Sequence, residues 1–362
     1  MELIIEKKYI EDIIKTTSRI SLKGIIHPAL KLSRINIKDN KFTISATNLS
    51  LAVIVTFPIE NNEEKEYFVD TESLNRILNG MSGSDSVSFN FKDTFIEIKT
   101  KISKSKIPYQ NGEDVPTIPV VDGTHITLPA SNFKKALSIT LPGASTTDIK
   151  PELSSVFLVF KDNTINAVTT DAFQLIEYSQ VVTTTKETSF LLPAKEAGDI
   201  IKIIDNIDGA LNASYTDTLF CITTKTITII TKLTQGLFPD YTTIIPKNAV
   251  SHVQFLRLDL DNALKFLMQL KSDTNHINIT ANDNKLILSL KNSNGGDGEY
   301  VINTKQEGEN FSGYVMASHL KTLASNIPND SIQLDYFGQQ KPLLATSDTG
   351  ASFKYLMMPT TN

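Results

Sequence analysis

Five histidines, His27, His125, His252, His276 and His319, are the first residues to test for chemistry. A metal site or a general base needs a second ligand or a partner at helical or strand spacing. None of the five has one, and no His-Glu-x-x-His occurs. Each reads as a satisfied surface or core histidine. The Gly-rich stretch Asn292-Ser293-Asn294-Gly295-Gly296-Asp297-Gly298 lacks the Lys-Ser/Thr of a phosphate loop and lies between two strand patterns, so it reads as a hairpin loop. Cys221 is the sole cysteine, which excludes an intrachain disulfide and a cysteine zinc site. Acidic pairs such as Glu63-Glu64 read as solvated surface. No nucleophile stands with a base. No catalytic residue, metal or cofactor is implied.

The elements that would carry a binding function recur along the chain. Asp39-Asn40, Asp162-Asn163 and Asp283-Asn284 each sit between alternating apolar runs, 123 and 121 positions apart. Asp and Asn tolerate the positive φ of tight hairpin turns. Val69, Leu192 and Val315 end apolar strands that run into helices, spaced by 123 each time. Asp70 suits a helix N-cap, and Pro193 suits a first helical turn. Helical patterns open near Tyr9, Asn132 and Asp261, with Ile10, Ile13 and Ile14 at helical spacing in the first. Phe42, Ile44 and Ala46 alternate with Thr43, Ser45 and Thr47, the signature of a half-buried strand. The pattern predicts an α+β protein of three similar domains, 1–123, 124–248 and 249–362, each with two helices packed on antiparallel sheet. Three equal units suggest a curved, symmetric object.

Length and composition agree. The 362 residues fit two or three domains, and 40% hydrophobic residues is ordinary for a globular chain. No apolar run reaches the roughly 18 residues of a membrane-spanning helix, and the N-terminus lacks the pattern of a signal peptide. A single thiol suits the cytoplasm. The formal net charge of −5 argues against a surface coated in nucleic acid, yet leaves room for a locally basic face.

Several segments resemble the sliding clamps of bacterial replicative DNA polymerases, whose type member is the polymerase III beta subunit. They are Ala46–Leu49, Pro151–Val156, Thr169–Leu175, Lys232–Asn248 with Phe238-Pro239-Asp240-Tyr241, and Tyr355–Pro359. Their order and the threefold repeat extend the resemblance over essentially the whole chain. It implies a ring-shaped, head-to-tail homodimer, with helices lining a hole for duplex DNA and sheets outside. It implies a non-catalytic processivity factor, nucleoid-associated, that tethers the polymerase catalytic subunit, the clamp loader and repair proteins. These partners would dock short peptides, roughly Gln-Leu-x-Leu-Phe, in a cleft. Matching positions are Leu153, Thr170, Phe173, Gln174, Leu175, Pro239, Thr243, Ile244, Leu356, Met357, Met358 and Pro359. Gln174, Thr243 and the tail Thr360-Thr361-Asn362 depart from a more basic family pattern.

The resemblance also implies a basic, sequence-independent DNA-facing surface. Candidates are Lys8, Lys15, Arg19, Arg76, Lys134, Lys135, Lys195, Lys202, Lys265, Lys271 and Lys321 on helices, with Lys23 and Lys150 in loops. At the dimer contact, Ile107 is the expected anchor in the segment Ser103–Ile107, facing Met268–Leu270. Ser105 stands where the family commonly has an aromatic. A clamp-like adaptor that binds peptides without encircling DNA is the main alternative. A hydrolase on a repeated scaffold lacks any catalytic grouping.

Overall fold

The computed structural model describes residues 1–20, 27–61, 63–81, 83–182, 187–270, 275–291, 296–347 and 353–360. Lys23, Lys271, most of the Gly-rich loop and the last two residues fall outside this set. The element order repeats three times. The first repeat runs β1 (Glu2–Glu6), α1 (Lys7–Thr17), β2 (Leu32–Lys38), β3 (Lys41–Thr47), β4 (Leu51–Pro58), β5 (Lys65–Asp70), α2 (Thr71–Met81), β6 (Ser86–Phe91), β7 (Phe95–Lys99) and β8 (Lys104–Pro108). The second runs β9 (Thr124–Pro129), α3 (Ala130–Thr140), β10 (Ser155–Lys161), β11 (Thr164–Thr170), β12 (Gln174–Val181), β13 (Thr188–Pro193), α4 (Ala194–Ile203), β14 (Ala210–Tyr215), β15 (Leu219–Thr223) and β16 (Ile227–Lys232). The third runs β17 (Ser251–Leu256), α5 (Arg257–Leu267), β18 (His276–Asn282), β19 (Lys285–Leu290), β20 (Gly298–Asn303), β21 (Lys305–Gly308), β22 (Phe311–Met316), α6 (Ala317–Asn326), β23 (Ser331–Tyr336), β24 (Leu343–Ser347) and β25 (Phe353–Met357).

Local chemistry explains the recurrence. All three Asp-Asn pairs take positive φ at both residues, between 49° and 58°. That geometry closes two-residue hairpins whose twist matches the flanking strands. Asp70 accepts the Ser73 amide at 2.7 Å, capping α2. Pro193 instead ends β13, one residue before α4, where its missing N–H costs nothing. A second turn repeats as well. Thr47 Oγ1 donates to the Leu51 carbonyl, and Asn48 Oδ1 accepts the Ser50 and Leu51 amides. At an offset of 123, Thr170 Oγ1 donates to the Gln174 carbonyl, and Asp171 Oδ1 accepts the Phe173 and Gln174 amides. Leu49 and Ala172 occupy the same left-handed position, at φ 74° and 78°.

Each repeat carries two half-sheets of four strands, not one sheet. The orders are β5-β2-β3-β4 with β1-β6-β7-β8, then β13-β10-β11-β12 with β9-β14-β15-β16. In the third repeat they are β20-β19-β18-β22 and β17-β23-β24-β25, the latter extended by β21. Strand β4 pairs with β16 to make an eight-stranded sheet, and β12 pairs with β25 to make a nine-stranded one. The chain therefore divides by contact into two compact units, residues 1–130 with 199–233, and 131–198 with 234–362. The middle repeat contributes one half-sheet to each. In the first unit, α1 and α2 pack together on the core, where Phe42 is fully buried. Its ring lies 5.1 Å from Phe57, 5.9 Å from Phe89 and 6.3 Å from Phe91. In the second unit, α5 packs on α6 over β17, β19 and β20. No helix among the described residues is long and apolar enough to cross a membrane.

Candidate functional site: an apolar groove on the nine-stranded sheet

Strands β12 and β25 pair with Leu175 opposite Leu356 and Gln174 opposite Met357. Cross-strand pairs share a face, and successive residues alternate faces. Leu175 and Leu356 therefore lie on the outer face, where they cluster with Val168, Leu344 and Phe337. The segment that follows β16 closes over this cluster with Phe238, Tyr241 and Ile245. Phe238 stacks on Phe157 of β10 at 4.9 Å. The Tyr241 hydroxyl accepts a 2.9 Å hydrogen bond from Asn166 of β11. Burial, with Glu177 beside it, pushes that phenol up to about 12. The segment is pinned by Asp240, which accepts the Thr242 amide at the start of the short 3-10 turn Tyr241–Thr243.

Above the buried floor stands an exposed apolar rim: Phe173, Leu237, Ile244 and Met358. Phe173 is 65% exposed, high for a large aromatic. Its carbonyl accepts the Met358 amide at 2.9 Å, which ties the turn after β11 to the C-terminal end of β25. Pro239 and Thr243 are exposed on the crossing segment, and Pro359 is half-buried. Phe173, Leu175, Pro239, Thr243, Ile244, Leu356 and Met358 belong to the three segments that supply this cluster and its ties.

Two other expected members, Gln174 and Met357, lie elsewhere. Gln174 and Met357 occupy the opposite face of their strands, toward α6, because each is one residue out of register with the floor. Gln174 Nε2 donates to Asp171 Oδ2 at 2.9 Å, and the Tyr355 hydroxyl donates to Gln174 Oε1 at 2.5 Å. Met357 is fully buried. Thr170 lies opposite Leu175, on the floor's face, where it is buried and braces the turn, and Leu153 is buried in the turn before β10. Phe157, Phe238, Tyr241, Phe337 and Leu344 were not anticipated. Phe238 and Tyr241 were visible in the Phe-Pro-Asp-Tyr segment, whereas Phe337 and Leu344 carry no local signal. Next to the groove, Glu177 and Lys354 pair at 3.2 Å and line a pocket of about 780 Å³ with Tyr241, Pro246 and Lys247.

Among the described residues, the expected DNA-facing cations fall into three groups. Lys8 pairs with Glu6 at 2.8 Å, Arg76 with Glu72 at 3.7 Å, Lys202 with Asp199 at 4.0 Å and Lys265 with Asp261 at 2.7 Å. Lys135, Lys150, Lys195 and Lys321 are exposed outside any ion pair among the described residues, with Lys135 over the Tyr178 ring. Lys15, Arg19 and Lys134 are half-buried on α1, just past it and on α3, respectively. The expected dimer anchor does not hold. Ile107 is 1% exposed, because β8 alternates Lys104 and Lys106 outward and Ile107 into its own core. Met268 is exposed and Leu270 half-buried, both just past the end of α5 rather than on it.

Among the described residues, no group of three or more His, Cys, Asp or Glu side chains could hold a metal ion. His319 is buried on α6, and burial holds its imidazole below the usual range.

Residues 127–240, which include the turn after β11 and Pro239, match the family model of the DNA polymerase III beta subunit central domain. Along its whole length the chain is similar to proteins named beta sliding clamps. It is 23% identical to the beta sliding clamp of Rickettsia bellii and 20% identical to that of Staphylococcus aureus, over 99% of each chain in both cases. Its fold is the sliding-clamp fold. It overlays the beta subunit of Thermotoga maritima with a TM-score of 0.93 at 18% identity, covering 100% of this chain and 99% of that one. A Pseudomonas aeruginosa sliding clamp, solved bound to griselimycin, matches with a TM-score of 0.93 at 17% identity, covering 100% of both chains. The six helices and antiparallel sheets of the described residues are those of this fold.

Proposed function

We propose that this chain is a non-catalytic sliding clamp of the replication machinery, which encircles duplex DNA as a head-to-tail homodimer and tethers the DNA polymerase catalytic subunit, the clamp loader and repair proteins. The observation that carries the tethering function is the groove. A buried Leu175–Leu356 floor lies under the exposed Phe173, Ile244 and Met358, on the sheet joined by β12 and β25. Burying two or three large apolar side chains there is worth about 1.5–3 kcal/mol each. After ordering costs this supports weak, exchangeable binding on the order of micromolar. Fluorescence polarisation with a Gln-Leu-Ser-Leu-Phe peptide tests it. The native chain binds, and Met358→Ala weakens binding several-fold; equal affinity for both would overturn the assignment.

Ring closure follows from the repeat, read as three clamp domains. The fourth strand of the first repeat, β4, pairs with the last strand of the second, β16. The fourth strand of the second, β12, pairs with the last strand of the third, β25. The same rule leaves β20 of the third repeat and β8 of the first as open edges. Two copies placed head to tail supply each edge with its missing partner. Lys104, paired with Glu97 at 2.9 Å, and Lys106 lie on β8, while Glu299 lies on β20 and Asp297 just before it, so the edges lean to opposite charge. Phe266, Met268 and Val301, all about half-exposed, add apolar area at the β20 side. Lys135, Lys150, Lys195 and Lys321 are the free cations for phosphate contact, and the chain works in the cytoplasm on the nucleoid.

The adaptor reading, in which peptides bind without encirclement, draws on the ion pairs that neutralise Lys8, Arg76, Lys202 and Lys265. Sedimentation separates the two: the clamp is a dimer at micromolar concentration, the adaptor a monomer.

A further inference from the structure

Three segments build the groove: Thr170–Leu175, Leu237–Pro246 and Leu356–Thr360. They contain two carboxylates, Asp171 and Asp240, and no lysine or arginine. Gln174, the polar residue nearest the floor in sequence, faces away from it and is buried with both amide atoms engaged by Asp171 and Tyr355. Thr243 is exposed, but its hydroxyl donates back to the Asp240 carbonyl at 3.0 Å. The neighbouring charges largely offset one another. Lys354 is held by Glu177 at 3.2 Å. Lys247 alone stands uncompensated at the adjacent pocket. No cation therefore stands on the groove segments to meet an acidic ligand; Asp171 turns both carboxylate oxygens to Gln174 and the amides of its own turn, which leaves Asp240 as their exposed anion.

Resting on the docking function proposed above, we infer that this groove selects apolar partner peptides whose polar positions are neutral or basic, and discriminates against peptides carrying Asp or Glu. Phe173, Ile244 and Met358 supply the affinity without regard to charge. Asp240 supplies the sign. Unit charges several ångströms apart at a wet surface interact weakly, so the discrimination is on the order of three- to tenfold at low salt and shrinks as salt screens it.

Competition binding with Gln-Leu-Ser-Leu-Phe, Gln-Leu-Asp-Leu-Phe and Gln-Leu-Lys-Leu-Phe at 50 and 200 mM salt tests the inference. The expected order is the Lys and Ser peptides ahead of the Asp peptide by about three- to tenfold at the lower salt, converging at the higher. The variant Thr243→Arg, at an exposed position, brings the Asp peptide level with or ahead of the Ser peptide. Asp240→Asn shrinks the native spread. Peptides that bind with the Asp form first, or within twofold of one another at low salt, overturn the charge selection and leave the docking groove standing. A chain that binds none of the three, with Met358→Ala indistinguishable from the native protein, overturns the groove itself and the selection with it.

Discussion

Ala172 carries a backbone conformation that L side chains avoid. Its φ of 78° is set by the Thr170 and Asp171 brace around it, in the turn that presents Phe173. A Cβ in this left-handed region costs roughly 1–2 kcal/mol, part of which glycine recovers at the expense of its own chain entropy. Ala172→Gly is expected to raise stability by roughly 0.5–1 kcal/mol in urea unfolding, with peptide affinity unchanged. His319 makes a prediction of opposite kind. Burial lowers its folded pKa from 6.5, with Asp171 acting weakly in the other direction. The unfolded chain then protonates this residue more readily than the folded one. Its contribution favours folding above pH 6.5 and is lost as the pH falls through that value toward the folded pKa. The urea midpoint should drop between pH 7.5 and 5.5, and His319→Gln should lessen that drop. Leu175 shows why residue identity alone misleads a test. An aspartate there would unfold the floor rather than report on docking, because Leu175 is 1% exposed. Met358 and Phe173 are the informative positions.

At the scale of elements, the hairpins and helix starts were legible because each is decided within a few residues. Asp39-Asn40, Asp162-Asn163 and Asp283-Asn284 carry the turn chemistry, and Phe42, Ile44 and Ala46 carry the period of the strand. The pairing of β4 with β16 and of β12 with β25 was not legible. Strands of different repeats meet there, and nothing local encodes which edge finds which. The same gap placed Gln174 and Met357 in the groove. Both lie in the right segments, but a one-residue step along a strand turns a side chain to the other face. It also made Ile107 an interface residue, when alternation along β8 sends it inward. Phe42 tests the part that local pattern did reveal. It is fully buried on β3 among Phe57, Phe89 and Phe91. Phe42→Ala should cost about 3–5 kcal/mol by denaturant midpoint, as a cavity in a packed aromatic core does. A loss under 1 kcal/mol would mean the cluster packs loosely.

At the scale of the whole molecule, the proposed function rests on closure rather than on grip. A chain of net charge −5, with four of its expected DNA-facing cations paired to carboxylates, is poorly suited to hold duplex tightly by electrostatics. On the function proposed above, persistence on DNA comes from topology, with the open edges β8 and β20 satisfied by a second copy. Two consequences separate topology from affinity. Binding to short linear duplex should be weak and should fade between about 50 and 200 mM salt, as a handful of phosphate contacts dictates. Protein loaded onto nicked circular DNA should instead stay bound at the higher salt and leave when the circle is cut, since a free end removes the link without changing any contact. Charge reversal at the edge, Lys104→Glu with Lys106→Glu, places like charges against Asp297 and Glu299 of the neighbouring copy. It should convert the dimer to monomer in sedimentation and abolish retention on circles, while peptide binding at the groove persists. Retention that survives linearisation, or a double variant that remains dimeric and retained, would mean that the chain grips DNA or closes through some other edge.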